Sequence, residues 1–373
     1  MDMIKEFIAL TAISSPSHGE REMADCLSRR LRTLGCSVEE DSAGAKSGGN
    51  AGNLIAQFPG TGRFSGAEPL LLAAHMDRVP NGDGIRCVIE KDRIRSDGST
   101  VLAADDLSGV CVILELLERL AGKEHCPLEI VFTVSEEMRT LGAIHLDYSR
   151  LHAKAGCCLD SSGRLGRVVI GAPAIDHFEI EFYGKKAHAG AEPEKGINAL
   201  KAAARFLALV REGRLDAEST ANYGVIRGGE VTNVICDRVS VKGEARSHSD
   251  KKLASYEAEA DRTLRDAVEG SGVRAELRRI PIHGAFRIEP DESIVTGLLS
   301  AMEANGVRGY AEIGGGGMDA NTFFAHGIRT VGVATGYLKN HTLEEELILD
   351  DFLRAADVME DLVAFWSERS SAC

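Results

Sequence analysis

The chain has 373 residues, 44% of them hydrophobic, a length and composition that suit two folded domains and exclude extended disorder. Asp and Glu outnumber Lys and Arg by 57 to 43, so the formal net charge is −14. This charge, without a clustered basic stripe, disfavours nonspecific nucleic-acid binding, and no apolar stretch approaches the length of a membrane span. We therefore expect neither nucleic acid nor a membrane among the partners of the protein.

The nine cysteines form no Cys-x-x-Cys pair, and Cys157 and Cys158 lie inside an apolar run. An odd number without metal-binding spacing predicts reduced, mostly buried thiols, which suit a reducing compartment. The N-terminus lacks a basic start followed by an apolar signal core. These features together predict a cytoplasmic protein.

Helix and strand patterns alternate through the first half of the chain. Ser17-His18-Gly19-Glu20 has the form of a capping box and predicts the start of a helix. Residues 42–52 are rich in small side chains and predict a surface loop. A strand is predicted at residues 53–58 and a helix at 107–120. Largely apolar runs at 70–74, 129–134 and 155–159 predict strands buried on both faces. This βα alternation predicts a layered α/β domain.

Side chains that bind divalent metals follow three of the predicted strands. His75 and Asp77 come at the end of the second strand, Glu136 and Glu137 follow the third, and Asp160 ends the fourth. Because open α/β sheets place their sites beyond the carboxyl ends of the strands, we expect these side chains to lie close together. Asp77 is placed to hold one ring nitrogen of His75 while the other nitrogen faces a metal.

Two further clusters complete the set. Asp105-Asp106 precedes the helix at 107–120, whose first turn favours a nearby carboxylate. His341 lies much later, in a polar and acidic context. Carboxylates and imidazoles suit zinc, cobalt or manganese, so the ordered set predicts the ligands of a two-metal hydrolase.

The pattern changes near residue 174, where apolar and polar residues alternate as in a strand with one wet face. The predicted order β-α-β-β-α-β is that of a ferredoxin-like motif. Its elements are predicted at residues 178–182, 198–211, 223–226, 234–245, 251–268 and 273–282. The α/β pattern resumes after residue 285. Since His341 must meet His75, we predict one domain from residues 1–174 and 285–373, and an inserted domain at 175–284.

The ordered motifs resemble the M20 family of metallopeptidases, and most closely its peptidase T-like (tripeptidase) branch. The resemblance covers essentially the whole chain. The matching stretches are His75-Met76-Asp77-Arg78-Val79-Pro80, Ala104-Asp105-Asp106-Leu107-Ser108-Gly109, Ser135-Glu136-Glu137 and Lys339-Asn340-His341-Thr342-Leu343-Glu344-Glu345.

The resemblance implies how the metal ligands divide between two ions. His75, Asp105 and Asp160 would hold one ion, and Asp105, Glu137 and His341 the other. Asp105 would bridge the two, and the peptide bond that follows it would be cis. The ions are expected to be zinc, with cobalt or manganese as alternatives.

The resemblance also implies roles for further residues. Glu136 would be the general base, and Asp77 would orient His75. The inserted domain would act as a lid and dimerisation domain, so the protein would be a homodimer. His188 would reach the active site of the partner subunit and help hold the oxyanion. Asn233 and Arg246 would bind the backbone and the carboxylate of the substrate.

The expected activity is that of a dinuclear metal-dependent exopeptidase that hydrolyses short peptides, as a tripeptidase-like aminopeptidase does. An alternative within the same family is an N-acyl-amino-acid amidohydrolase or carboxypeptidase. A noncatalytic binding protein on a hydrolase scaffold is a third hypothesis, which the complete set of ligands and the base disfavours.

Overall fold

The protein is represented by a computed structural model, which describes residues 2–370. The chain forms two compact units, Met1–Ala172 with Phe286–Cys373, and Pro173–Ala285. None of the helices between residues 2 and 370 combines the length and the apolar character needed to cross a bilayer. The eight cysteines in this range form no disulfide, and five of them are buried. Cys373 lies outside the described residues.

The helices are α1 (Met3–Thr11), α2 (Arg21–Thr33), α3 (Ala43–Ser47), α4 (Ala104–Leu120), α5 (Leu141–His145), α6 (Ala199–Leu209), α7 (Asp250–Val268), α8 (Ser293–Ala304), α9 (Asp319–Ala325) and α10 (Leu349–Ser370). The strands are β1 (Ser37–Glu40), β2 (Leu54–Phe58), β3 (Leu70–His75), β4 (Cys87–Ile89), β5 (Arg93–Ser96), β6 (Leu128–Thr133), β7 (Ala155–Ser161), β8 (Arg167–Ala172), β9 (Ala174–Tyr183), β10 (Gly213–Arg214), β11 (Ser219–Gly228), β12 (Arg238–Ser247), β13 (Arg274–His283), β14 (Phe286–Arg287), β15 (Tyr310–Ile313), β16 (Arg329–Ala334), β17 (Tyr337–Leu338) and β18 (Glu346–Ile348).

A nine-stranded mixed sheet forms the centre of the first unit. Its strand order is β1-β2-β6-β3-β7-β16-β8-β14, and β15 pairs with β8. The four central strands β6, β3, β7 and β16 run parallel to one another. Every residue of β3 and β6 is buried, so both faces of the sheet are covered, as the apolar runs predicted. The layered α/β fold is thereby confirmed.

The second unit is a ferredoxin-like domain inserted into the first, also as predicted. Its sheet has the order β10-β11-β12-β9-β13, and neighbouring strands are antiparallel. The helices α6 and α7 pack on each other and on β12. Along β9, Phe178, Ile180 and Phe182 are buried while Glu179 and Glu181 are partly exposed, which explains the alternating pattern in the sequence.

Several local predictions were wrong. The predicted loop at 42–52 contains the short helix α3. Strand β12 begins at Arg238, four residues later than the apolar pattern predicted. Ser17 and Glu20 form no capping box, since α2 has Glu20 at its N-cap and no side-chain cap. A four-stranded sheet of order β17-β18-β5-β4 was not predicted, because strands of two to four residues show no clear periodicity.

Candidate metal centre

Asp105 lies between two imidazoles at the carboxyl end of the central parallel strands. Its Oδ1 is 3.1 Å from His75 Nε2, and its Oδ2 is 3.2 Å from His341 Nε2. His75 is the last residue of β3, whereas His341 follows β17 in a loop. Asn340 donates a hydrogen bond to Asp105 Oδ2 at 2.7 Å. The two oxygens of one buried carboxylate therefore face opposite histidines.

Two other carboxylates complete the cluster. Glu137 Oε1 lies 2.9 Å from His341 Nε2, and Asp160 Oδ1 lies 3.9 Å from His75 Nε2. The structure thus brings the five sequence-predicted ligands together in the first unit. Ligand atoms lie within 4.8 Å of one another in two groups, namely His75, Asp105 and Glu137, and His75, Asp106 and Asp160. The second group contains Asp106, which was not among the predicted ligands.

Acidic groups outnumber the histidines in this cluster, and they differ in how readily they ionise. Burial opposes ionisation of Asp105, but the close contacts of its carboxylate with His341 and His75 outweigh burial and lower the pKa of Asp105. By contrast, burial and the charge of Asp105 raise the pKa of Asp160 well above its usual range. Burial, with the charge of Asp160, does the same to the pKa of Glu136. The site therefore holds more acid groups than its two histidines neutralise.

Divalent cations fit this arrangement. Glu137 Oε1 is buried, and its contact with His341 lacks the geometry of a hydrogen bond, so its lone pairs are available to a cation. Carboxylate oxygens and imidazole nitrogens are ligands that zinc and similar ions accept. The side chain of His341 is 48% exposed, compared with 1% for His75, so one side of the cluster is open to solvent. Water or substrate could reach a bound ion from this side, as a catalytic metal site requires.

Asp77, the predicted partner of His75, contacts the imidazole ring through both its backbone and its side chain. His75 Nδ1 lies 2.9 Å from the backbone oxygen of Asp77 and 3.4 Å from the carboxylate oxygen Oδ1. The carboxylate of Asp77 also accepts the backbone N–H groups of Glu136 and Glu137, at 2.9 and 3.2 Å. Asp77 therefore contacts both the end of β3 and the turn after β6.

The chain is similar to known peptidases over nearly its whole length. Residues 170–270 match the peptidase dimerisation domain of the M20 family, and residues 53–204 match peptidase family M28. The structure of aminopeptidase PepT from Bacillus cereus is 34% identical in sequence, covers 98% of each chain and superposes with a TM-score of 0.89. The chain belongs to the M20 peptidases of the peptidase T type.

Two other relatives also match this chain over nearly its whole length. The uncharacterized protein YqjE of Bacillus subtilis (strain 168) is 34% identical over 97% of each chain. A tripeptidase structure from Staphylococcus aureus is 28% identical, covers 98% of each chain and has a TM-score of 0.93. This M20 protein is therefore a hydrolase of peptide bonds.

The backbone around Asp105 has the form that M20 resemblance implied. The Asp105-Asp106 peptide bond is cis. The carboxylate of Asp106, the next residue, accepts hydrogen bonds from the backbone N–H groups of His75 and Gly109, both at 3.2 Å. Two residues after the glutamate pair, Arg139 has a φ of 72°, a left-handed conformation that glycine adopts without strain.

Several side chains that support the cluster were missed in the sequence. Tyr337 is buried and donates a hydrogen bond to Asp160 Oδ1 at 3.0 Å. Glu20 accepts hydrogen bonds from the backbone and the hydroxyl of Ser135, at 2.9 and 3.0 Å, immediately before the glutamate pair. Asp319 is buried and accepts the hydroxyl of Thr133 at 2.6 Å. Their partners lie far away in the chain, so no local pattern identified them.

The three other predicted site residues lie in the inserted domain of this M20 protein. His188 is exposed, and its Nδ1 accepts the N–H groups of Gly190 and Ala191, at 3.2 and 3.0 Å. The loop of Asn233 lies beside it, since the N–H of Ala189 donates to the Asn233 carbonyl at 2.9 Å. Arg246 was predicted just beyond the end of a strand, but it lies within β12, and its Nε donates to Glu244 at 2.8 Å.

Proposed function

We propose that this protein is a dinuclear metal-dependent exopeptidase that hydrolyses short peptides, with tripeptides as the leading substrates. One observation carries the proposal: the Asp105 carboxylate lies between His75 and His341, with the Glu137 and Asp160 carboxylates close by. The chain is similar over 98% of its length to an aminopeptidase PepT and to a tripeptidase, and this similarity supports the substrate class.

The residues divide into two ligand sets that share Asp105. His75, Asp105 and Asp160 would hold one ion, and Asp105, Glu137 and His341 the other. We propose zinc as the metal, with cobalt or manganese as substitutes, because mixed imidazole and carboxylate ligands suit these ions. When bound, the two ions polarise the scissile carbonyl and lower the pKa of the attacking water.

Glu136 is the proposed general base. Its pKa is raised by burial and by Asp160, so the carboxylate holds a proton more readily than an ordinary glutamate. It would take a proton from the attacking water and deliver it to the leaving amine, which is worth about 10²–10⁴ in rate. The carboxylate of Asp77 accepts the backbone N–H of Glu136 and so fixes the turn on which this base lies.

We assign the inserted domain, residues 175–284, to dimerisation and to closure over the substrate. His188 would donate a hydrogen bond to the oxyanion in the partner subunit. Because its Nδ1 accepts two backbone N–H groups, the neutral ring carries its proton on Nε2, which leaves that N–H as a donor. Asn233 and Arg246 would bind the backbone and the carboxylate of the peptide.

We also propose that the enzyme works in the cytoplasm. Support comes from the eight cysteines within residues 2–370, all of which are free thiols, as in proteins of reducing compartments. The net charge of −14 does not favour a nucleic-acid partner.

A panel of di-, tri- and N-acetylated peptides, assayed with added zinc, cobalt or manganese, tests the proposed function. We expect tripeptides with a free amino terminus to be cleaved fastest and to release their first residue. Faster cleavage of N-acetylated substrates, or release of the last residue, would replace the proposal with an N-acyl-amino-acid amidohydrolase or a carboxypeptidase. No cleavage of any peptide by metal-loaded protein would contradict peptidase activity.

A further inference from the structure

A buried glutamate outside the metal cluster holds the backbone of the turn that carries Asp105. Glu345 is 2% exposed. Its Oε2 accepts the N–H groups of Leu102 and Ala103 at 2.8 and 2.9 Å, and its Oε1 accepts the N–H of Asp105 at 3.0 Å. Three backbone donors therefore converge on one carboxylate.

This turn needs an external acceptor. Asp105 has φ/ψ of −80° and 103°, and Ala103 has a φ of 58°, so the backbone here is not helical although α4 begins at Ala104. Leu102 and Ala103 precede the helix and Asp105 lies in its first turn, so the N–H groups of these three residues have no carbonyl partner within the helix. Because these donors are buried, they require an acceptor from elsewhere in the chain, and Glu345 supplies it.

Glu345 lies four residues after His341, so one loop contacts Asp105 at several points. Asn340 donates to Asp105 Oδ2 at 2.7 Å, and His341 Nε2 lies 3.2 Å from the same oxygen. Asn340 and His341 contact the side chain of Asp105, whereas Glu345 binds its backbone N–H. A shift of the turn at 102–105 would move this carboxylate relative to His75 and His341.

The neighbouring glutamates act differently. Glu344 is exposed, and Glu346 pairs with Arg93 and Lys339 at 2.6 and 3.2 Å. Both oxygens of Glu345 are used as acceptors, so an amide in its place would direct an NH₂ group at a backbone N–H. The position therefore requires a carboxylate.

We propose that Glu345 is a positioning residue that sets the place of Asp105 between the two histidines and thereby sets the affinity for divalent ions. This inference rests on the proposed metal-dependent function. Loss of a supporting partner of a ligand typically lowers metal affinity by about 10- to 100-fold. Glu345→Gln is expected to have an effect of this size, whereas Glu344→Gln, one residue away, should have none.

Cobalt titration of the full-length metal-free protein tests the proposal, with affinity and the visible d–d absorption as readouts. We expect Glu345→Gln to bind cobalt more weakly and to show an altered d–d spectrum at saturation. Glu345→Asp keeps both acceptor oxygens on a shorter stem and should give a smaller change of the same kind. If Glu345→Gln does not fold, the Asp variant carries the test.

Two results would overturn the inference, and they differ from failure of the proposed function. A variant with a lower melting temperature but wild-type cobalt affinity and spectrum would show that Glu345 only stabilises the fold. Wild-type behaviour in all three measurements would show no role. If the unmodified protein bound no cobalt, zinc or manganese, the proposed function would fail and the inference with it.

Discussion

The carboxylate of Asp77 accepts the backbone N–H of Glu136 at 2.9 Å. Its other oxygen accepts the N–H of Glu137 at 3.2 Å and the hydroxyl of Ser17 at 2.6 Å. The same side chain lies 3.4 Å from His75 Nδ1. A single buried carboxylate therefore fixes the proposed base and two proposed metal ligands relative to one another.

This arrangement predicts that the side chain of Glu136 acts in chemistry and not in folding. Asp77 contacts the backbone of Glu136, so Glu136→Gln leaves that hydrogen bond intact. We expect the variant to keep its metals and its melting temperature while its kcat falls by at least about 100-fold. Metal analysis and steady-state kinetics on a tripeptide measure the two effects, with the exposed Glu344→Gln as the control. Metal loss with unchanged kcat per bound ion would reverse the roles assigned to Glu136 and Glu137.

Metal affinity is predicted to rise with pH. Contacts with Asp105 and Glu137 raise the pKa of His341 to about 10, so the folded metal-free protein keeps this proton at neutral pH. A metal needs the unprotonated nitrogen, so each displaced proton adds about tenfold in affinity per pH unit below that pKa. Zinc titrations at several pH values, with a competing chelator, measure the slope. An affinity that stays constant between neutral pH and pH about 9 would contradict His341 as a ligand.

The same raised pKa has a consequence for the stability of the metal-free protein. Protonated His341 is favoured in the folded state, so its contribution to the free energy of unfolding is complete below the ordinary value of 6.5. That contribution is lost as pH rises through about 10. The melting temperature of the metal-free wild type should therefore exceed that of His341→Ala at neutral pH. This difference should become smaller as the pH rises through about 10.

The sequence predicted much of the site because apolar strands precede its polar residues. The runs that became β3 and β6 are buried throughout and end next to His75 and the glutamate pair. A strand buried on both faces is recognised in the sequence as a continuous apolar run. The residues after its carboxyl end lie at the edge of the sheet where α/β proteins place their sites. The one-sided alternation along β9 likewise predicted the inserted domain.

The supporting residues were not predictable in this way, because their partners are distant in sequence. Tyr337 binds Asp160, and Glu345 binds the turn at 102–105, after more than 150 intervening residues in each case. Local pattern was even misleading at Ser17 and Glu20. These residues have capping-box spacing, but their side chains bind Asp77 and Ser135 of the catalytic centre instead of the helix.

The proposed role of His188 predicts complementation between subunits. His188→Ala and Glu136→Gln should each be nearly inactive alone. Once subunits exchange, a mixed dimer contains one site with both Glu136 and His188 intact, so activity should return in part. Mixing two batches of the same variant is the control. Differently labelled subunits show whether exchange has occurred. If activity does not return although exchange is complete, each site is completed within one chain.

Arg246 is predicted to distinguish peptides with a free carboxyl terminus. A charge-assisted bond to a carboxylate contributes about 1.5–3 kcal/mol, or about 10- to 150-fold in kcat/KM. Arg246→Ala should lower kcat/KM for free peptides by such a factor and leave C-terminally amidated peptides nearly unchanged. Arg246→Lys should restore activity only in part, because an ammonium group lacks the planar fork of arginine.

The matched control for Arg246 is Arg238→Ala. Arg238 lies on the same strand, and its Nε donates to Glu181 at 2.9 Å, much as Arg246 donates to Glu244. This variant should treat free and amidated peptides as the wild type does. Equal losses on both kinds of peptide with Arg246→Ala would assign Arg246 to the fold or to the dimer.

The most direct test of a two-metal peptidase is to count metal ions and follow activity through their removal and return. We predict two divalent ions per chain, loss of tripeptide hydrolysis on chelation, and recovery with zinc, cobalt or manganese as the second equivalent binds. Asp105→Ala, which removes the carboxylate between His75 and His341, should bind fewer than two ions and stay inactive. Full tripeptidase activity in protein shown to be free of metal would contradict the account.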